Sequence, residues 1–148
     1  GFHTSMIESS MMINDRMPEY TVERAGKILN RHKKALNGSR VLLLGMAYKQ
    51  DIDDYRESPA IRVMEEFLKT GATVDFYDPY IPKFREHGAW YEGLNPISPE
   101  ILQGYDLVTI TTAHSNVDYE MVASCGVPVF DCKNVMKNIP NRENIEVL

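Results

Sequence analysis

The sequence predicts an α/β fold, a doubly wound and mainly parallel sheet preceded by a helical arm, and three observations carry that prediction. Short apolar runs such as Val41-Leu42-Leu43-Leu44 and Leu107-Val108-Thr109-Ile110 have the composition of strands buried on both faces. Segments of helical periodicity separate them, which implies parallel pairing through right-handed crossovers. Turn signals, among them Asn37-Gly38, Thr70-Gly71 and Asp78-Pro79, fall between the runs and not inside them.

Residues 4–15 can form a helix with Met6, Ile7, Met11 and Met12 as candidate contacts. Met17-Pro18 is predicted to interrupt it, because proline disfavours helical geometry in the residue before it. A second helix then starts at Pro18-Glu19. It carries Val22, Ala25, Ile28, Leu29, His32 and Leu36 at three- and four-residue spacing and stops at Asn37-Gly38. Two helices ahead of any strand read equally well as a connecting or dimerising arm and as an amphipathic segment packed on its own domain. Periodicity does not tell one buried face from another. An unpartnered face at Met and Ile of residues 6–13 would seek a partner.

The alternation proper begins after Ser39. Residues 40–44 form a strand, and residues 59–69 a helix that turns Ile61, Met64, Phe67 and Leu68 to one side. Residues 73–77 make the next strand, with a short helix predicted at 81–87 and an irregular stretch through Asn95-Pro96. Pro99 opens another helical turn, residues 106–111 are a buried strand, 118–125 a helix, and 127–130 and 145–148 the last two strands. No internal repeat or low-complexity stretch is present.

With 148 residues the chain has room for one domain plus an appendage, divided here as residues 1–37 and 38–148. Sixteen bases against twenty-one acids give a net charge of −5, interspersed along the chain, which argues against general affinity for nucleic acid or an anionic membrane. No apolar stretch reaches bilayer length and no basic-then-apolar leader opens the chain, so a soluble, cytoplasmic protein is expected. The first residues already read as helix, so the chain is expected to be a fragment. Cys125 and Cys132 fit no disulfide framework, zinc motif or redox motif.

Residues 45–59, Gly-Met-Ala-Tyr-Lys-Gln-Asp-Ile-Asp-Asp-Tyr-Arg-Glu-Ser-Pro, are the most informative segment. They follow a buried strand and end in Ser58-Pro59, a hydroxyl cap with proline at the first helical position. Ligands of open α/β sheets bind at such strand ends, and a helix N-terminus favours anions. Lys49 and Arg56 stand where phosphate is expected; they serve equally well as partners for Asp51, Asp53, Asp54 and Glu57. A dinucleotide fingerprint needs three glycines, whereas only Gly45 is present, Ala47 takes the second position and the loop is long.

Other chemistries fit less well. Asp51 and Asp53 match the first positions of a calcium loop, but Arg56 and Arg62 occupy its glycine and glutamate positions, so no metal is expected and the acids are read as holding the loop. There is no Gly-x-Ser-x-Gly elbow, Ser58 has a capping role, and His114 is read as an exposed loop residue at the sheet edge. Lys133, after the 127–130 strand, either reaches the same crevice as Lys49 or sits in an exposed turn.

The loop from Gly45 to Pro59, Tyr77-Asp78-Pro79 and Asp131-Cys132-Lys133-Asn134 together resemble the C-terminal, UDP-binding domain of the UDP-glucose/GDP-mannose dehydrogenase family. The resemblance covers nearly the whole chain, and its Ala47-Tyr48-Lys49 and Asn14-Asp15-Arg16-Met17-Pro18 wording is most similar to the UDP-N-acetylglucosamine 6-dehydrogenase branch. It implies a Rossmann-like domain and an enzyme that oxidises the sugar C6 alcohol to a carboxylate with two NAD, through a cysteine-bound intermediate. UDP-glucose and UDP-N-acetylmannosamine are the alternative substrates. The resemblance further implies that NAD and the catalytic cysteine belong to an N-terminal part, so that this chain alone is inactive and holds no catalytic residue. Residues 1–37 would end a central helix through which a homodimer forms. By position, Tyr48 and Lys49 would contact the UDP-sugar, Arg56 would reach toward NAD, and Lys133 falls where many relatives place an arginine near the nucleotide. Lysine there keeps the charge without the planar fork. The alternative reading is a stand-alone, non-catalytic nucleotide-binding or dimerisation module.

Overall fold

The computed structural model describes residues 2–140 and 142–148, with side chains from Arg16 onward. The candidate contacts at Met6, Ile7, Met11 and Met12 therefore lie outside the described residues. A helix α1 (Phe2–Arg31) leads into β1 (Arg40–Leu44), α2 (Pro59–Lys69) and β2 (Thr73–Tyr77). A hairpin of β3 (Lys83–Glu86) and β4 (Ala89–Glu92) follows. The chain then runs through α3 (Pro99–Leu102), β5 (Leu107–Ile110), α4 (Tyr119–Ser124), β6 (Val129–Asp131) and β7 (Ile145–Val147).

Five strands pair in the order β2-β1-β5-β6-β7, every pair parallel, as the buried apolar runs predict. The order reverses between β1 and β5, which makes that gap the topological switch point. Alternation within β1 divides the core. Val41 and Leu43 pack with Val22, Ala25, Ile28 and Leu29 of α1 and with Ile61, Met64 and Phe67 of α2. Leu42 and Leu44 face the other way, against Leu102 of α3 and Val122 of α4. Burying one such leucine stabilises by roughly 1.5–3 kcal/mol, and Val41 and the three β1 leucines are all essentially inaccessible. Among the described residues no helix is long and apolar enough to cross a membrane.

Two predicted elements are corrected. Met17-Pro18 does not interrupt the arm, because α1 runs through Pro18 as one helix. A proline inside a helix costs about 3 kcal/mol, but the local clash competes here with tertiary packing. Thr21, Val22, Ala25, Ile28 and Leu29 are all buried, so the helix following Pro18 is fixed from outside. The helix also ends earlier than Asn37-Gly38. Lys33 takes a left-handed conformation, φ 60°, while Lys34 N–H returns to the Leu29 carbonyl. His32 is consequently exposed, and Leu36 reaches the core from the following loop.

The second correction concerns residues 81–87, predicted helical and observed as β3 of the hairpin. Period two decides it: Phe84 is fully buried, while Lys83 and Arg85 are exposed. His87-Gly88, both at positive φ (49° and 79°), form the two-residue turn that matches strand twist. Phe84 stacks on Tyr91 at 5.1 Å and meets Phe76 at 5.1 Å, which fastens the hairpin to the sheet.

Gly45 ends β1 at φ 96°, and a Cβ there would lie 2.7 Å from the Thr112 backbone nitrogen and closer still to its Cβ. Left-handed strain and backbone overlap act together at this position. Gly45→Ala should therefore destabilise by roughly 3 kcal/mol, read as a lowered denaturation midpoint with an unchanged denaturant slope.

Candidate functional site

The carboxyl ends of β1, β2 and β5 converge on Asp78, whose side chain is wholly inaccessible. Strand β2 delivers it beside the loop that leaves β1, since Leu44 and Tyr77 are register partners. Its Oδ2 accepts the N–H groups of Met46 (2.7 Å) and Ala47 (3.1 Å) and lies 2.8 Å from His114 Nε2. Its Oδ1 accepts the N–H groups of Tyr80 (2.8 Å) and Ile81 (3.2 Å). Burial alone would push this carboxyl up. The His114 contact and the backbone N–H groups of Met46 and Tyr80 outweigh it and hold the group below its usual 3.8.

His114 is fully buried, not the exposed loop residue expected from its place after a strand. Its Nδ1 accepts the Asp51 N–H at 2.8 Å, so that nitrogen carries the lone pair and Nε2 carries the proton donated to Asp78. The Tyr80 ring lies 4.9 Å from the imidazole, and the Tyr119 hydroxyl donates to the His114 carbonyl at 2.7 Å. The sequence places Asp78 in a strand-ending turn motif and His114 at the sheet edge, but does not pair them. The available signal was an aspartate at a strand end, beside a glycine loop that presents unpaired N–H groups.

The loop from Gly45 to Ser58 is closed largely by its own carboxylates. Arg56 donates from Nε (3.1 Å), a terminal nitrogen (3.2 Å) and its backbone N–H (3.0 Å) to Asp54, and this pairing lowers the Asp54 pKa. Asp51 accepts the Ser115 N–H and hydroxyl, each at 2.8 Å, and these contacts lower its pKa as well. The acids thus hold the loop, as read from the sequence. Ser58 caps α2 by accepting the Ala60 N–H and donates to the Ala47 carbonyl. Thr112 donates to that same carbonyl at 2.9 Å.

The predicted site residues separate into two neighbouring places. Tyr48 is half exposed, and Lys49 holds its ammonium 5.7 Å from the Tyr48 ring centre. Tyr48 and Arg56 share a recess with Asp54 and Glu57, and the Arg56 side chain is 85 % exposed. Lys133 lines a different cavity, of about 390 Å³, with Thr111, Cys132, the α2 start at Pro59 and Ala60, and Met17, Pro18 and Thr21 of α1. Its loop is held by fully buried Asp131, which accepts the N–H groups of Lys133 (3.1 Å), Val135 (3.2 Å) and Met136 (2.8 Å). Burial, reinforced by Asp131, pushes the Cys132 thiol up to about 12, and Cys125 is buried. Among the described residues no carboxylate lies within ion-pair distance of Lys49 or Lys133, in contrast to Arg56.

This strand end does not fit a dinucleotide pyrophosphate. The N–H of Gly45 is taken by the Tyr77 carbonyl at 2.8 Å, and those of Met46 and Ala47 are taken by Asp78. An internal carboxylate already fills the anion position that a glycine-rich turn offers to a ligand. An external anion at this edge would have to be met by side-chain cations.

Residues 42–138 match the model of the UDP-glucose/GDP-mannose dehydrogenase family, UDP binding domain. The UDP-N-acetyl-D-mannosamine dehydrogenase of Methanocaldococcus jannaschii is 32% identical over 148 aligned positions, covering 95% of this chain and 31% of the relative. The UDP-N-acetyl-D-glucosamine 6-dehydrogenase of Pseudomonas aeruginosa is 27% identical over 115, covering 78% of this chain and 27% of the relative. The chain thus spans less than a third of the length of these two. Among solved structures, the UDP-N-acetyl-mannosamine dehydrogenase of Staphylococcus aureus superposes with a TM-score of 0.72 at 26% identity, over 99% of this chain and 34% of that one. The UDP-D-ManNAc dehydrogenase of Pyrococcus horikoshii gives 0.72 at 25% identity, over 92% and 31%.

Asp78→Asn would turn an acceptor oxygen into an N–H₂ group among groups that already donate. The cost should be about 3 kcal/mol at pH 7 in equilibrium denaturation. Because the folded-state pKa is depressed, this stabilisation is present above the ordinary value of 3.8 and is lost as pH falls through the lowered one. The difference between wild type and Asp78→Asn should accordingly shrink below pH 4.

Proposed function

The chain belongs to the UDP-glucose/GDP-mannose dehydrogenase family, whose UDP-binding domain it matches, and from that premise we propose that it supplies the nucleotide-sugar half of an NAD-dependent UDP-sugar 6-dehydrogenase. In this reading residues 38–148 are the nucleotide-sugar domain and residues 1–37 the end of a connecting helix that builds a homodimer. The sugar is UDP-N-acetylglucosamine, with UDP-glucose and UDP-N-acetylmannosamine as the alternatives. The whole protein oxidises the C6 alcohol to a carboxylate, in the cytoplasm, and NAD bound mainly by another domain accepts hydride. This chain alone carries no catalytic residue and does not turn over.

The observation that carries the reading is that two lysines without a carboxylate partner stand at carboxyl ends of the sheet, Lys49 after β1 at the switch point and Lys133 after β6 in a separate cavity. Lys49 and Lys133 flank strand ends where the backbone amides are already used, so charge for a diphosphate comes from these two side chains. Tyr48, half exposed beside Lys49, offers a ring face to the nucleotide or sugar. Arg56 is aligned by Asp54 yet remains open to solvent, which suits a residue that reaches toward NAD on a neighbouring domain. Lys133 serves the nucleotide as a point charge, without the bidentate geometry an arginine would give.

Calorimetric titration of the chain with UDP should show saturable binding. Lys49→Ala should weaken it on the order of tenfold, the loss expected for one charge-assisted hydrogen bond. Arg56→Ala should leave UDP affinity unchanged and raise the KM for NAD in the longer protein. Absence of UDP binding by the chain, together with absence of UDP-sugar oxidation by the longer protein, would refute the reading and favour a non-catalytic module.

A further inference from the structure

Tyr48, Lys49 and Gln50 form a three-residue span between two fixed points, and within it the Tyr48 N–H is also held by the Asp54 carbonyl at 2.7 Å. At its start the Ala47 N–H is held by Asp78, and the Ala47 carbonyl accepts from Thr112 and Ser58. At its end the Asp51 N–H is held by His114 Nδ1, and the Asp51 carboxylate accepts the N–H and hydroxyl of Ser115. Asp51 itself has a left-handed backbone, φ 61°, a conformation uncommon outside glycine that aspartate adopts more readily than most. Most of these ties come from the loop after β5, across the switch point.

We propose that His114 and Ser115 are positioning residues, which latch the β5 loop onto Asp51 and so pre-set Tyr48 and Lys49 for the nucleotide. The inference rests on the reading of Lys49 and Tyr48 as nucleotide-sugar contacts. Neither latch residue touches the ligand. Their effect is to order the span before binding, so that the ordering cost is not drawn from the binding free energy. His114 suits the task because one ring accepts from the loop while donating to Asp78, which ties the span to the buried end of β2. Ser115 adds two contacts from the solvent side, and Asp51 is about one-third exposed there.

The test uses Ser115→Ala, His114→Ala and His114→Asn, in this chain for UDP titration and in the longer protein for kinetics. Ser115→Ala removes only a hydroxyl at the surface and should keep the melting midpoint, yet weaken UDP severalfold and raise the KM for UDP-sugar. The KM for NAD should stay unchanged. His114→Ala should weaken UDP tenfold or more. His114→Asn, whose amide oxygen can accept the Asp51 N–H in place of Nδ1, should recover part of that loss. Ser115→Ala binding UDP as wild type does would overturn the latch, as would equal UDP affinities for His114→Ala and wild type. If wild type itself ignores UDP, the ligand reading fails first and the latch falls with it, a result distinct from the other two.

Discussion

The ionised carboxyl of Asp78, fully buried at the end of β2, can exist there only because donors surround it. An isolated charge in such a place would cost several kcal/mol, and four backbone N–H groups and one imidazole N–H together remove that cost. The same five contacts join three pieces of chain that share no secondary structure: the turn after β1, the turn after β2 and the loop after β5. Satisfying the charge and shaping the upper edge of the sheet are thus one requirement. It also determines how this edge can meet a nucleotide, since amides engaged by an internal anion are closed to an external one.

Asp131 repeats the device on a smaller scale, with a buried carboxylate drawing three N–H groups of its own loop into place. Lys133 lies in the loop that Asp131 holds, and Lys49 lies two residues beyond Ala47, whose N–H Asp78 holds. The supporting sheet is rigid for an ordinary reason: alternate residues of β1 fill two separate apolar layers, so a slip by one residue would exchange the layers. The α1 helix is part of one layer, and Arg24 and Arg31 tie it to β7 through the Val147 carbonyl and Glu146. Binding at this edge therefore acts on a frame already held from the opposite face.

Much of this was legible beforehand. The parallel strands could be read because Val41–Leu44 and Leu107–Ile110 are apolar on both faces, and α2 because Ser58-Pro59 and Thr70-Gly71 bracket a clear stripe. The continuity of α1 was not legible, since the penalty at Pro18 is local and visible while the packing of Val22 and Leu29 that outweighs it is tertiary. In residues 81–87 the two buried residues, Ile81 and Phe84, are three apart, a spacing that a helix also gives, and the strand partner of Phe84, Tyr91, lies beyond the turn. Lys49 and Arg56 drew attention as cations in a loop between a buried strand and a helix start. The pairing of Asp78 with His114 did not, because a buried pair separated by 36 positions becomes visible only when the strands are set in order.

The two cysteines have a practical consequence of their own. Cys125 is buried in the α4-side layer, and Cys132 is held as an unreactive thiol by burial beside Asp131. While the domain stays closed, Cys125 is shielded from solvent and Cys132 stays a thiol. Alkylation of buried Cys125 would therefore record openings of the β5–β6 half of the sheet, with no residue substituted to provide the reporter. The native chain carries its own clock for local unfolding.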